Sequence, residues 1–576
     1  MNEPGRNARS TADVFDVAVV GSGAGGGMAA YVLTRAGMRV LVLEAGRDYD
    51  PVKETPMFTT ARSAPLRGSS TSDKPFGYFD ATVNGGWEIP GEPYTVAEGS
   101  KFQWWRARML GGRTNHWGRF SFRFGADDFR PYSRDGMGVD WPIGYDDVAA
   151  YYDKVESLIG VFGSNEPIAN QSASSPGVLL PPPAPRAYEL FVKAGCTSLG
   201  IPCVPMHAAV LTRPLNNRPA CFYATGCERG CAIGANFQST TVLLPPARAT
   251  GKLTIRTHAM VYEVTLDPSG RASGVRYVDT VTGKHEHVRA RAVVLAASAC
   301  ESARILLNST SATFPQGLAN SSGQVGRNLT DSTGVGVLAQ FPALEGRPAY
   351  NEEGTSLPHL YIPWWLHEQQ KAGKLDFPRG YHIEFDGGRT HQPEMFMGVF
   401  GSLVGDVHGA ALKERMRATY GSFVSFAARG EMVPSADCYC DIDPQVKDRW
   451  GIPVLRFHWK WSDHERRQAR HFTATMRKLV DRLGGKIVAA PADDDPDAGL
   501  SMGGEIIHEV GTTRMGAKPR DSVVNGFGQS WDVPNLYVMD GGVFASNPDK
   551  NATLTILTLA WRSADHLVDQ FKRKAL

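Results

Sequence analysis

The chain has 576 residues, 42% of them hydrophobic and 21% charged, with a formal net charge of +2. That length accommodates two or more domains of ordinary globular composition. The near-zero charge gives no footprint for nucleic acid or an anionic membrane, and no uninterrupted apolar run reaches the roughly 18 residues of a spanning helix. Eight cysteines are too sparse for a disulfide framework.

Residues 1–13 read as a polar, flexible leader. They lack the apolar region of an export signal, which predicts a cytoplasmic location unless a partner subunit carries the chain out. Residues 14–46 form the most informative stretch. A β-branched run (Val17, Val19, Val20) meets Gly21, Gly23 and Gly26 in the spacing G-x-G-x-x-G, a helix is predicted from Met28 to Ala36, and a second apolar run, Val40 to Leu43, ends at Glu44. Gly21 permits the tight turn, Gly23 lets backbone approach a pyrophosphate, and Gly26 lets the helix lie close on the sheet. The helix N-terminus offers free N–H groups and the positive end of its dipole to phosphates. Glu44 stands where a carboxylate accepts from the hydroxyls of an unphosphorylated ribose, favouring FAD or NAD over NADP. This unit alone does not choose between FAD and NAD.

Segment 47–100, rich in Pro, Gly, Ser and Asp, reads as a long irregular excursion. A second glycine motif lies in 101–120, and Pro181 to Pro185 mark a rigid turn or linker. Cys221, Cys227 and Cys231 have the spacing C-x5-C-x3-C. Three thiolates this close suit an iron–sulfur cluster or another metal, although no fourth ligand is near; the alternative is three reduced thiols. Between 252 and 310 the pattern is strand-like, with two runs joined at Pro268–Gly270 as a hairpin or small meander. Segment 331–490 contains Trp364, Trp365, His382, Glu384, His391, Trp450, His458 and Trp459, plus a helical stretch at 463–483. Aromatic faces with polar neighbours suit a sugar ring, and a β-sheet with buried aromatics accounts for them equally well. His382 and Glu384, two apart, share a face if that stretch is extended. The last 75 or so residues return to glycine-rich, strand-like segments.

The predicted fold class is α/β: a Rossmann-like nucleotide domain made of 14–130, 216–330 and 495–576, with an inserted α+β substrate domain made of 131–215 and 331–494 on an antiparallel sheet. Motifs scattered along the chain favour a resident flavin, gripped along its whole length, over a nicotinamide that must leave and return.

Several segments resemble one family, the glucose–methanol–choline (GMC) oxidoreductases. They are 16–46, the block LGGRTNHW (110–117), the run 252–264, VVLAASACESARILLNS (293–309), HEVGTTRMG (508–516) and the stretch from Asp540-Gly541 to Asn551. The wording of the cysteine segment and of HEVGTTRMG is closest to bacterial gluconate dehydrogenases and glucoside 3-dehydrogenases. The resemblance implies an FAD enzyme that oxidises a CH–OH group of a sugar, glycoside or sugar acid. Its electrons would pass to a quinone or cytochrome, through a small subunit or cytochrome c partner; an oxygen-reducing sugar oxidase is the near alternative. An NAD-linked dehydrogenase or an electron-carrier subunit is the more distant one.

By position, the resemblance places Gly21, Gly23 and Gly26 at the pyrophosphate and Glu44 at the adenosine ribose. Val261 meets the adenine, and Gly112 and Asn115 lie near the isoalloxazine. Asp540 and Gly541 approach the ribityl–pyrophosphate region, and Thr553 lies under the pyrimidine end of the ring. His116 falls in a block resembling the segment where pyranose 2-oxidases bond a histidine covalently to flavin, so it is expected beside the ring with or without a bond. The same family segment carries a three-iron cluster in some sugar dehydrogenases, which would use Cys221, Cys227 and Cys231.

Alcohol oxidation needs two departures, a hydride from carbon and a proton from oxygen. A neutral imidazole suits the second. His508 is the expected base. Asn551 is expected to donate to the alcohol oxygen, and to lie just before a helix whose N-terminus faces the flavin.

Overall fold

The protein is described by a computed structural model covering residues 14–55, 85–222, 227, 230–347, 355–390 and 407–576. His391 lies outside them. Runs such as Val17–Val20 and Val40–Leu43 are apolar on both faces, the pattern of strands covered by two layers. They pair in parallel, Val17 opposite Val40, and are fully buried or nearly so. The parallel sheet contains, in order, Leu253–Arg256, Val40–Leu43, Phe15–Val20, the C-terminal half of His285–Leu295, and Leu536–Val538. The first half of His285–Leu295 instead runs antiparallel to Ala272–Asp279, which pairs with Ala259–Leu266. One long strand therefore joins a three-stranded meander to the nucleotide sheet, and the meander's first turn falls at Pro268–Gly270.

The helix after the first strand spans Ala24–Arg35, four residues ahead of the predicted start at Met28. Its first turn lies so close to neighbouring backbone that only glycine fits. A Cβ on Gly25 would stand 1.7 Å from Met539 O, and one on Gly26 2.0 Å from Gly21 O. The helix stops at Gly37 (φ +89°), where the Gly37 and Met38 N–H groups bond back to Thr34 and Leu33 carbonyls. The C-terminal helix Thr553–Lys572 packs on it, and on helix Ala149–Ile159. Trp141 donates to Ser546 Oγ (2.9 Å) and the Tyr152 hydroxyl meets Thr555 Oγ1 (2.6 Å). Part of the span 131–215 thus packs with the nucleotide sheet, in the core that holds Trp141, Tyr152 and Val155.

The second sheet is antiparallel throughout, in the order Lys486–Ala489, Ser332–Gln340, Phe423–Glu431, Tyr381–Gly387, Leu360–Ile362, Val204–Pro205. Alternation assigns its faces. Val335, Val337, Ile383, Phe385, Phe426 and Ala428 form a core with Ala469, Phe472, Met476 and Leu479 of helix Asp463–Arg482. That helix starts at a capping box: the Ser462 hydroxyl accepts from His464 N–H (3.1 Å), and Glu465 accepts from Ser462 N–H (2.9 Å). The opposite face carries His382, Glu384 and Arg429, with Gly334 across from Arg429 and Gly336 across from Ala427. No helix among the described residues is long and apolar enough to cross a membrane.

Candidate active site

A cavity of 330 Å³ lies along the C-terminal ends of the parallel strands, where open α/β sheets bind ligands. Gly21, Gly23, Glu44, Gly112, His116, Val261, His508, Asp540, Gly541, Asn551 and Thr553 all border it. Two expected positions do not. Gly26 packs against Gly21 and Ala296 and serves helix–sheet contact. Asn115 is fully buried and turned away: its amide donates to Leu110 O (2.9 Å) and its side-chain oxygen meets Thr240 (3.4 Å), bracing the second glycine turn. Its neighbours Thr114 and His116 line the cavity on either side.

The cavity walls fit FAD on three counts. A Cβ on Gly23 would meet nothing nearer than Gly111 O at 4.0 Å, and one on Gly112 nothing nearer than Gly23 Cα at 3.6 Å. These two glycines leave open a space that no protein atom fills, in front of the N-terminus of helix Ala24–Arg35. At the far end, Glu44 accepts from Gly46 N–H (2.9 Å) and from Ser22 Oγ (2.5 Å), and Ser22 accepts from Gly111 N–H (2.8 Å). That relay ties the two glycine motifs together. Third, the N-terminus of helix Thr553–Lys572 opens onto the cavity through Asn551, Ala552 and Thr553. Its cap position is Ala552 with no side-chain cap, so Asn551 does not cap the helix and its amide is directed elsewhere.

Asp540 sits between these features. It accepts from Ser302 Oγ (2.6 Å) and Gly542 N–H (2.8 Å), and burial pushes its carboxyl up to about 6. Trp105 donates to His116 Nε2 at 2.9 Å. An indole nitrogen only donates, so Nε2 is the acceptor and Nδ1 carries the proton, with no partner among the described residues. Burial, helped by Arg119 and Arg113, pulls the His116 ring down to about 3.

The catalytic end is assembled from three distant segments. His508 Nδ1 lies 3.0 Å from Ser332 Oγ, and Nε2 lies 3.5 Å from the Asn551 amide nitrogen. An amide nitrogen donates, so Nε2 presents its lone pair to the Asn551 side of the cavity and the ring proton sits on Nδ1. The His508 N–H donates to Asp331 Oδ1 (2.9 Å) and its carbonyl accepts from Asn547 (3.3 Å), fixing the backbone on both sides. Burial is the main cause that pulls His508 down to about 3, with Arg429, His382 and Arg113 adding to it against Glu384. The imidazole is therefore neutral at ordinary pH. Beneath it, burial and Glu509 raise Asp331 to about 7. Asn551 also donates to Glu384 Oε1 (3.4 Å). Burial acts to raise Glu384, yet His382 and Arg429 hold it below its usual range.

Sequence reasoning singled out Asn551 and His508 but not Ser332, Asp331, Arg113, Glu509 or Arg429. Arg113 pairs with Glu509 at 2.6 Å, a charge–charge contact that sequence spacing does not reveal.

The cysteine expectation is not supported. No group of three or more His, Cys, Asp or Glu able to hold a metal occurs among the described residues. Cys227 packs in an apolar cluster with Phe122, Met206 and Tyr361, where burial raises its thiol and favours the protonated form.

Comparisons with known proteins identify the family. The family model described as GMC oxidoreductase matches residues 23–333 with its N-terminal part and 434–560 with its C-terminal part. A 2-methyl-1,2-propanediol dehydrogenase from Mycolicibacterium austroafricanum is 30% identical over 98% of this chain and 96% of its own length. The fructose dehydrogenase large subunit of Gluconobacter japonicus is 26% identical over 97% and 98%. The crystal structure of pyridoxine 4-oxidase from Mesorbium loti superposes with a TM-score of 0.62, covering 97% of this chain and 99% of that one at 17% identity, a likeness of fold. The chain belongs to the GMC oxidoreductase family, flavoprotein oxidoreductases that act on CH–OH groups.

Proposed function

We propose that this enzyme oxidises a secondary or primary alcohol of a polyol, sugar or sugar acid, with His508 as base and Asn551 as the group that orients the hydroxyl. The observation that carries this reading is the neutral His508 ring, its Nε2 lone pair on the cavity wall beside the Asn551 amide. FAD, when bound, supplies the acceptor for the hydride that leaves the carbinol carbon. Gly21 and Gly23 with the helix N-terminus at Ala24 hold its pyrophosphate, Glu44 its ribose, Val261 its adenine, Asp540, Gly541 and Thr553 the ribityl and pyrimidine part, and Gly112, expected near the isoalloxazine, packs beside Gly23 at the phosphate end. His508 Nε2 takes the hydroxyl proton. Ser332 accepts from Nδ1 and keeps the ring in that tautomer, while Asp331 and Asn547 hold its backbone. Asn551 donates to the alcohol oxygen as negative charge grows there. Asn551 cannot remove a proton, so that task falls to His508 alone.

We assign the electron acceptor to the quinone or cytochrome class, reached through a partner subunit. Two relatives are named dehydrogenases, and one of them is named a large subunit. The test is anaerobic mixing of the FAD-loaded protein with a panel of polyols, glycosides and aldonic acids, followed by re-oxidation with air or with a quinone. Bleaching of the flavin band, with re-oxidation faster by quinone than by air, is expected. No bleaching by any alcohol contradicts the reading, and stoichiometric peroxide in air replaces the acceptor with oxygen.

The depressed His508 makes a second expectation. The lone pair is lost only when the ring protonates, near about pH 3 rather than the ordinary 6.5. Protonation of His508 therefore adds no fall in kcat/KM between about pH 8 and 6.5, whereas Asp331, raised to about 7 beneath it, titrates in that range. An inflection near about 6.5 that persists in Asp331→Asn contradicts it.

A further inference from the structure

An amide is ambivalent: turned one way it shows the cavity a donor, turned the other way an acceptor. Asn551 has to be kept in the first state to serve an alcohol oxygen that gains negative charge. Its Nδ2 lies 3.4 Å from Glu384 Oε1 and 3.5 Å from His508 Nε2. Reversing the amide would set its oxygen against a carboxylate oxygen and an imidazole lone pair, both acceptors. The Asn551 oxygen has no partner among the described residues, so the contacts of the nitrogen alone set the orientation. The His508 contact is given up once an alcohol oxygen comes between the two groups. Glu384 then remains as the group that holds the nitrogen in place.

Glu384 is itself fixed. It stands at the middle of strand Tyr381–Gly387, on the face turned away from the apolar core, and behind Asn551 rather than on the cavity wall. Two residues earlier on the same face, His382 meets Glu384 Oε1 through Nε2 at 3.1 Å and the Asp549 carbonyl oxygen through Nδ1. Asp549 lies two residues before Asn551, so one imidazole ties the carboxylate to the loop that carries the amide. Lys550, between them, is anchored by Asp549 at 2.7 Å and Asp128 at 3.0 Å. Phe122 and Tyr361 pack edge-on against the His382 ring, with centroids 5.3 and 6.1 Å away. Burial works to raise the Glu384 carboxyl, but His382 and Arg429 hold it below its usual range, so it meets Asn551 as an acceptor only.

We propose that Glu384, backed by His382, is the positioning residue that keeps the Asn551 amide nitrogen turned toward the reacting alcohol. This rests on the active-site reading above and adds to it the residue on which the donor depends. A carboxylate that never touches substrate thereby decides whether Asn551 stabilises the developing oxyanion or opposes it.

The test is a double-mutant cycle on the FAD-loaded enzyme, read by anaerobic stopped-flow flavin reduction. The reductant is whichever of D-glucitol, methyl α-D-glucoside and D-gluconate bleaches the wild type fastest. Glu384→Leu removes the acceptor and is expected to lower the limiting reduction rate by at least about tenfold, and by no more than Asn551→Ala does. The alcohol concentration for half saturation is expected to change by less than about twofold, with FAD affinity as in the wild type. Glu384→Gln, which keeps one oxygen facing the amide, restores most of the rate. In the Asn551→Ala background Glu384→Leu adds no further loss. His382→Gln follows the same pattern with a smaller loss, and decides the matter if Glu384→Leu does not fold. A wild-type rate in Glu384→Leu overturns the assignment and leaves the reading of His508 and Asn551 standing. So do losses that multiply in the double variant, as a purely structural role would give. An Asn551→Ala enzyme as fast as wild type, or no bleaching of the wild type by any of the three compounds, ends that reading and this assignment with it.

Discussion

Replacing His508 with alanine is expected to slow alcohol-dependent flavin reduction by about 10³-fold, with FAD still bound. In the proposed reading the ring is the neutral base, with the Asn551 amide orienting the alcohol; Glu384 beside them is engaged with His382. Removal of the His508 ring leaves the side-chain contact with Ser332 unmade but keeps the backbone bonds to Asp331 and Asn547, which involve main-chain atoms. The loop therefore holds its place, and the loss falls on the proton-transfer step. Asn551→Ala is expected to cost about 10²-fold, since one hydrogen-bond donor to a developing oxyanion is worth that much. Stopped-flow absorbance under nitrogen separates the two. Rates in His508→Ala equal to wild type would remove the assignment.

The second large effect concerns Gly23. Alanine there meets no atom nearer than 4.0 Å, while the backbone pair φ −68°, ψ −150° lies at the edge of what a residue with a Cβ adopts. The fold is therefore expected to survive with unchanged circular dichroism and a modestly lower melting temperature. The added methyl instead enters the space before the helix N-terminus, where the pyrophosphate must come into contact with backbone. FAD affinity is expected to fall by at least about 100-fold, about 2.8 kcal/mol. Gly25→Ala provides the contrast, because its Cβ would stand 1.7 Å from Met539 O and the helix could not dock on the sheet. Equilibrium titration of apoprotein with FAD checks the first variant, and thermal melting the second. Wild-type affinity in Gly23→Ala would mean that the glycine has no part in holding a ligand.

The difference between these residues and the others at the site reflects how far apart in sequence their partners lie. Gly21 to Glu44 form one local strand–turn–helix–strand unit, and its spacing carries its own geometry, so the nucleotide end was legible. His508 and Asn551, singled out through their family block, come together on the cavity wall. Arg429, Glu384 and Ser332 become neighbours only through the register of the antiparallel sheet, in which Gly334 lies opposite Arg429 and His382 flanks it on the other side. A shift of one residue would turn each to the other face, and nothing local specifies that register. Asn115 shows the reverse problem. A polar residue beside a glycine turn reads as a ligand contact, but the left-handed turn at Gly111 (φ +90°) leaves the Leu110 carbonyl in need of a donor, and the Asn115 amide supplies it. The cysteine spacing had a similar limit, because three thiols near one another in sequence form a metal site only if the fold turns their sulfurs to one point. The helix start moved from Met28 to Ala24 because three consecutive glycines, poor helix formers in isolation, were needed where backbone meets backbone.

The cavity between the two glycine motifs and the C-terminal helix is the proposed resident flavin site. Purified protein, stripped of any bound small molecule and titrated with FAD, tests it. Saturable uptake with one FAD per chain, a flavin absorption band, and loss of that uptake in Gly23→Ala with the fold intact are expected. Folded wild-type protein that stays colourless and takes up no FAD would contradict it.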